Sequence, residues 1–244
     1  MIHLLGSPRP SAMPNLMSSP ETEFERELRA FDDDVDVAIQ CFHTWRTIHS
    51  AALKDQKVYD LLNRNAGFWV MALGSIQANS LIALGRIFDT DRRTHNLRRL
   101  LLIAESNKEV FSKAAVRQRK SKHLANASHL IDEFMSNVQD PVASDFKRLQ
   151  TFVDARRRVY ERCYKQLRDK AYAHKERTDI SAIVAKANTQ ELGRLISDLR
   201  ILHDALWHWF HNGRRPMLIA RRQSDGENIE RDTRTFLKSL VLGG

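Results

Sequence analysis

Residues 192–210 read LGRLISDLRILHDALWHWF, and within them Leu192, Leu195, Ile196, Leu199, Leu202, Leu206 and Phe210 recur every three or four positions. Apolar side chains at that spacing fall on one side of a 3.6-residue helix, so the stretch reads as an amphipathic helix with one face turned to a core. The same pattern returns upstream at Phe152, Val159, Tyr160, Cys163, Leu167 and Ala171. Long helices that each carry one apolar stripe bury it against one another, which points to an all-α antiparallel helical bundle.

The rest of the chain agrees. Its 244 residues hold nine Gly and six Pro, and the prolines stand at 8, 10, 14, 20, 141 and 216, leaving 21–140 and 142–215 without one. β-Sandwiches and barrels need frequent turn residues, so this distribution excludes them. An apolar share of 42% with 28% charged residues is globular composition. Helices are expected at about 21–51, 57–88, 95–105, 108–137, 141–176 and 182–211, with a short amphipathic one (Ile229, Thr233, Phe236, Leu240) near the end. Ser19-Pro20-Glu21 and Asp140-Pro141 read as helix starts, and Ser106/Glu109 and Ser224/Glu227 have capping-box spacing. This organises the chain into a disordered leader (1–20), a helical bundle (21–211) and a basic C-terminal tail with a short helix (212–244).

Residues Asn65 to Gly85 contain no charge, a length sufficient to cross a bilayer. Gln77 and Asn79 near the middle are costly against lipid, so the stretch reads as the central buried helix of a soluble bundle, with no membrane association. Cys41 and Cys163 cannot make a disulfide framework; as small core residues they suit a cytoplasmic setting.

The formal charge is +9, and it is distributed unevenly. Residues 21–50 carry eight acids and three bases, residues 92–123 ten bases and two acids, and residues 141–177 eleven bases and five acids. Two concentrated basic segments suit a polyanion partner, nucleic acid first. Nucleotide-binding glycine loops, a nucleophile elbow and metalloprotease or C-x-x-C motifs are missing. His203, His208 and His211 cluster at one helix end, but their spacing and the interleaved Trp207 and Trp209 fit packing better than zinc. No metal or cofactor is expected.

The segment with chemical potential is Leu167-Arg168-Asp169-Lys170-Ala171-Tyr172-Ala173-His174-Lys175-Glu176, at the end of a basic amphipathic helix. Arg-polar-x4-His in that position resembles the signature of the HEPN superfamily. Leu84-Gly85-Arg86-Ile87-Phe88-Asp89, followed by the Leu97–Leu102 run, resembles its abortive-infection AbiU-like branch. The resemblance covers about residues 25–210. It implies a dimeric helical bundle whose active members are metal-independent endoribonucleases, with Arg and His of two protomers facing one another. By position, Arg168 is the motif arginine, Asp169 its polar neighbour, where Asn is frequent, and His174 the motif histidine. A neutralising partner protein is a further family expectation.

Residue chemistry is compatible with that. On an ideal helix Arg168 and His174 lie about 120° apart in azimuth and about 9 Å along the axis, so the helix must loosen near Tyr172-Ala173 or the site must be shared between subunits. Histidine exchanges protons near neutrality, and arginine offers a planar fork to phosphate oxygens. The expected roles are His174 as general base or acid, Arg168 as phosphate clamp, and Lys170, Lys175 and Arg177 on the flanking RNA backbone, leaving a 2′,3′-cyclic phosphate. The same residues also read as a basic helix end meeting the helix dipole, with Arg168 paired to a nearby acid. That leaves a non-catalytic HEPN-like module binding nucleic acid or a partner protein as the alternative. For Arg86 and Asp89, an ion pair anchoring the following turn is expected.

Overall fold

In the computed structural model, residues 19–123, 128–169, 188–219 and 224–243 are described. They form helices α1 (Pro20–Lys54), α2 (Gln56–Arg64), α3 (Ala66–Ile87), α4 (Leu97–Ser106), a 3-10 turn (Lys108–Phe111), α5 (Lys113–His123), α6 (Ser128–Met135), α7 (Ala143–Cys163), α8 (Thr189–Asn212) and α9 (Ser224–Leu242). No strand occurs among them. The protein is all-α.

Helix α1 is the spine. Ser19 caps it, its hydroxyl accepting from the Thr22 amide at 3.2 Å, with Pro20 opening the helix. Its stripe of Phe24, Leu28, Phe31, Val35, Ala38, Ile39 and Phe42 is buried, and α3, α4, α8 and α9 pack along it. At the N-terminal end of the spine an aromatic cluster closes the core: Phe111 stacks on Trp209 at 4.3 Å and meets Phe24 edge-on at 4.9 Å. Arg119 covers this cluster. It sits 4.1 Å from the Phe210 ring centre and donates to Glu21 and to the Val110 and Phe210 carbonyls.

Several sequence expectations change. The helix expected over 57–88 is two, because the chain breaks at Asn65, whose φ of −126° and ψ of 48° are not helical. Helix α3, which takes in the charge-free run, is not buried throughout. Its C-terminal part supplies Leu81, Ala83, Leu84 and Ile87 to the core, whereas Phe68, Val70 and Met71 at the other end are exposed. It is the one described helix long and apolar enough to cross a membrane. The helix expected over 108–137 divides into the 3-10 turn, α5 and α6. Asp140 does not start α7: its carboxylate accepts from the Lys113 amide at 2.8 Å, capping α5, while Asp145 accepts from the Val142 amide at 3.1 Å to open α7. The terminal helix α9 runs for 19 residues and docks on α1 and α2, with Leu237 buried beside Ile48 and Val58. Residues 1–18 of the expected leader lie outside the described residues.

Candidate active site

Helix α7 delivers the site. Its inward face buries Phe146, Leu149, Phe152, Val153, Tyr160 and Cys163. It stops at Tyr164, whose hydroxyl donates to the Asn188 carbonyl at 2.8 Å and so ties this end of α7 to the start of α8. A single helical turn, Lys165–Leu167, follows with Leu167 buried, and Arg168 and Asp169 enter a wider π-type turn. The expected continuous helix over 141–176 is therefore interrupted at Tyr164, and the loosening expected near Tyr172-Ala173 lies outside the described residues. Wider turns of this kind re-aim side chains and recur at functional sites. His174, Lys170, Lys175 and Arg177, with Tyr172, lie outside the described residues.

Arg168 is about a quarter exposed and has two contacts of consequence. Its Nε and Nη2 both donate to Asp169 Oδ1, at 2.7 and 2.5 Å. The rest of the side chain lies across the backbone of α3 at Gly85. A methyl group on Gly85 would stand 2.7 Å from Arg168 Cδ and 3.2 Å from Cζ, and closer still to Nη1. The two stretches that stood out in the sequence, 84–89 and 167–169, are thus in direct contact.

Tyr160 lies beside them. Its ring stacks on Phe88 at 5.0 Å, and its buried hydroxyl has no hydrogen-bond partner among the described residues. Burial pushes the phenol up to about 12; the Arg168 cation works against this rise, and Asp169, Asp89 and Glu161 add to it. The neutral form is therefore held at physiological pH. Asp89 does not pair with Arg86, as had been expected. Its carboxylate accepts from the Thr90 and Asp91 amides at 2.7 and 3.2 Å and from the Thr94 hydroxyl at 3.0 Å, folding the loop after α3. Burial opposes its ionisation, but those hydrogen bonds outweigh burial and hold the carboxyl below its usual range. Arg86 instead reaches α1, bonding Asp34 through Nε at 2.7 Å and Nη2 at 2.6 Å.

The charge separation read along the chain is partly cancelled in space. Acidic α1 attracts arginines from other helices: Arg99 to Glu23 and Glu27, Arg119 to Glu21, and Arg200 to Asp32 and Asp36. On α7, Arg156 pairs with Asp198 and Arg162 with Glu191 on α8. Arg98, Lys122, Lys147, Arg158 and Lys165 remain exposed without an ion-pair partner among the described residues. They are part of an exposed basic surface to which Arg92, Lys108 and Lys113 of the same segments also belong.

Among the described residues, no group of three or more His, Cys, Asp or Glu is placed to hold a metal ion. The histidine cluster has local partners: His203 lies 3.2 Å from Asp204 and 3.4 Å from Asp32, and His208 bonds Asn212 at 3.0 Å. Trp209 is core, whereas Trp207 is 40% exposed.

The bundle brings an Arg-Asp pair, at the head of an Arg-x5-His segment, against the last turn of α3, and this arrangement fits a HEPN-type domain. Within that class the chain belongs to the AbiU2 family, whose family model matches residues 21–229. The match runs past α8 and into α9. No curated protein and no solved structure matches the chain.

Sequence reasoning singled out Arg168 and Asp169, and named Gly85 and Tyr160 only as members of the 84–89 stretch and of the α7 apolar stripe. For Gly85 a signal existed: a glycine inside a helical pattern weakens the helix and usually answers to close packing. Tyr160 gave none, because an apolar-stripe tyrosine looks the same whether or not its hydroxyl finds a partner.

Proposed function

We propose that this protein is a HEPN-class endoribonuclease acting in abortive infection, toxin-like, in the cytoplasm, as a homodimer with an Arg/His site shared across the interface. The observation that carries this reading is the position of Arg168: a partly exposed guanidinium held where the two family stretches meet.

The chemistry is transesterification. A base takes the proton of a ribose 2′-OH, and the oxygen attacks the adjacent phosphorus. The bond to the 5′-oxygen breaks, and that oxygen receives a proton, giving a 2′,3′-cyclic phosphate and a 5′-OH. His174 exchanges the proton, and Arg168 stabilises charge on the phosphoryl oxygens as it develops. Asp169 orients Arg168 in the resting state and yields it to the substrate. Lys170, Lys175 and Arg177 hold the flanking backbone. All the chemical groups come from side chains, so the reaction needs no metal. For the homodimer, support comes from the family likeness and from an exposed, uncharged stripe of α3 (Phe68, Met71, Ser75, Asn79, Ile82) that leads to Gly85 and Arg86.

Incubation of purified protein with total RNA, in EDTA, tests the reading. Cleavage leaving 2′,3′-cyclic phosphate ends, lost in Arg168→Ala and His174→Ala while both remain folded, supports it. Activity unchanged in both variants, or hydrolysis of DNA, refutes it. The pairing of Arg168 with Asp169 favours one other reading, a binding module in which the arginine is structural; RNA binding without cleavage is its mark.

A further inference from the structure

The stretch Leu84–Asp89, which resembles the family's first motif, supplies no acid, base or phosphate ligand to the proposed reaction, yet it ends beside Arg168. Its last residues each support the neighbourhood of Arg168: Arg86 pins α3 to Asp34 on α1, Phe88 stacks on Tyr160 of α7, and Asp89 folds the following loop. Gly85 is the member in direct contact with Arg168.

Why glycine stands there can be decided by elimination. It is not needed for backbone conformation, since Gly213 is the one described glycine at positive φ. It weakens the helix, because glycine in a helix interior is less favourable than alanine. What it provides is space. A Cβ at Gly67 or Gly74 of the same helix would meet nothing within 4 Å, whereas at Gly85 it would enter the Arg168 side chain.

We propose that Gly85 is a positioning residue for Arg168: the missing side chain is a seat that aims the guanidinium. The obstructing atoms belong to the far end of a flexible side chain, not to backbone. Alanine at this position therefore leaves α3 intact and displaces Arg168. The last turn of α3 is in this account a holder for the phosphate clamp, and the family's first stretch acts through its second. Only the activity arm of the test rests on the nuclease reading.

Gly85→Ala is compared with Gly74→Ala, which makes the same chemical change on the same helix in open space. Thermal melting should show both variants at or above the wild-type Tm. Phenylglyoxal modification, followed at Arg168 by peptide mass spectrometry, should be several-fold faster in Gly85→Ala and unchanged in Gly74→Ala. RNA cleavage should fall at least tenfold in kcat/KM for Gly85→Ala, and adding Gly85→Ala to Arg168→Ala should cost nothing more, since a seat without its occupant has no task. Wild-type modification kinetics in Gly85→Ala overturn the proposal, as does a loss of activity that adds to that of Arg168→Ala. If the wild type cleaves no RNA, the nuclease reading falls and the modification rates still decide whether the seat exists.

Discussion

Arg168 donates from Nε and Nη2 to one carboxylate oxygen of its own neighbour, Asp169. The guanidinium edge that matches a phosphate bidentately is therefore filled by an internal anion. In the proposed function, a substrate phosphate would have to displace that carboxylate and then sit beside its charge.

Asp169→Asn removes both obstacles and keeps the side chain's shape. RNA binding, measured by fluorescence anisotropy in a His174→Ala background so that nothing is cut, should tighten about three- to tenfold, or about 0.7–1.4 kcal/mol. Weaker binding in the variant would mean that Asp169 aims Arg168 even in the complex and does not compete with the substrate.

Much of the bundle was legible because apolar periodicity is a local property. The stripes of α1, α7 and α8 are read directly from spacing, and the Ser19-Pro20 start is fixed by its own side chains. What failed was non-local. The break at Asn65 is hidden because apolar residues on both sides, Leu61 and Leu62 before it and Phe68 and Trp69 after it, keep a spacing that a single helix would also give. The uncharged run that makes most of α3 looks buried throughout, since composition does not reveal that its first turns are covered on one side only, through Trp69 and Leu73. Asp140 carries a helix-start signal but spends its carboxylate on α5, and Arg86 passes over Asp89, three residues away, for Asp34 on another helix. At the candidate site, Arg168 and Asp169 were visible as residue types. Gly85 and Tyr160, which the structure places beside Arg168, belong to other elements or turns, and only the fold brings them together.

Tyr160 separates ring packing from hydroxyl chemistry. A buried hydroxyl without a partner carries its desolvation cost uncompensated, so Tyr160→Phe should leave stability unchanged or raise it by up to about 1 kcal/mol. Tyr160→Ala loses the Phe88 stack and leaves a cavity, costing about 3–5 kcal/mol. Urea denaturation of the two variants distinguishes these effects; a destabilised Phe variant would reveal a hydrogen bond to the hydroxyl.

Glu27 is the buried acid of α1. Its carboxylate is held by Arg99 Nε at 3.0 Å and His95 Nδ1 at 2.8 Å. Removing it leaves Arg99 and His95, whose side chains can recover water because they are 34% and 56% exposed. Glu27→Ala should therefore cost about 2–3 kcal/mol, below the range for a fully enclosed pair. A calorimetric loss under 1 kcal/mol would show that the α1–α4 contact is carried by apolar packing alone.

The docking of α9 gives a pH dependence that the geometry defines. Glu230 receives a hydrogen bond from His43 at 2.9 Å and another from Arg46, both on α1. Burial opposes ionisation of Glu230, but these bonds and the two neighbouring charges outweigh it and hold the carboxyl below its usual range. A carboxyl depressed in the folded state stabilises that state fully above its unfolded pKa of about 4.3, and the contribution disappears as pH falls through the lower native value. Glu230→Gln keeps the side chain's size and removes the titration. The wild type should melt above Glu230→Gln at pH 7, and the gap should close as the solution is acidified below about pH 4. Hydrogen exchange should place the loss in α9 first, because that helix is held to the spine by this pair and by Leu237 against Ile48 and Val58. A gap that persists unchanged into acid would show that Glu230 acts through packing rather than charge.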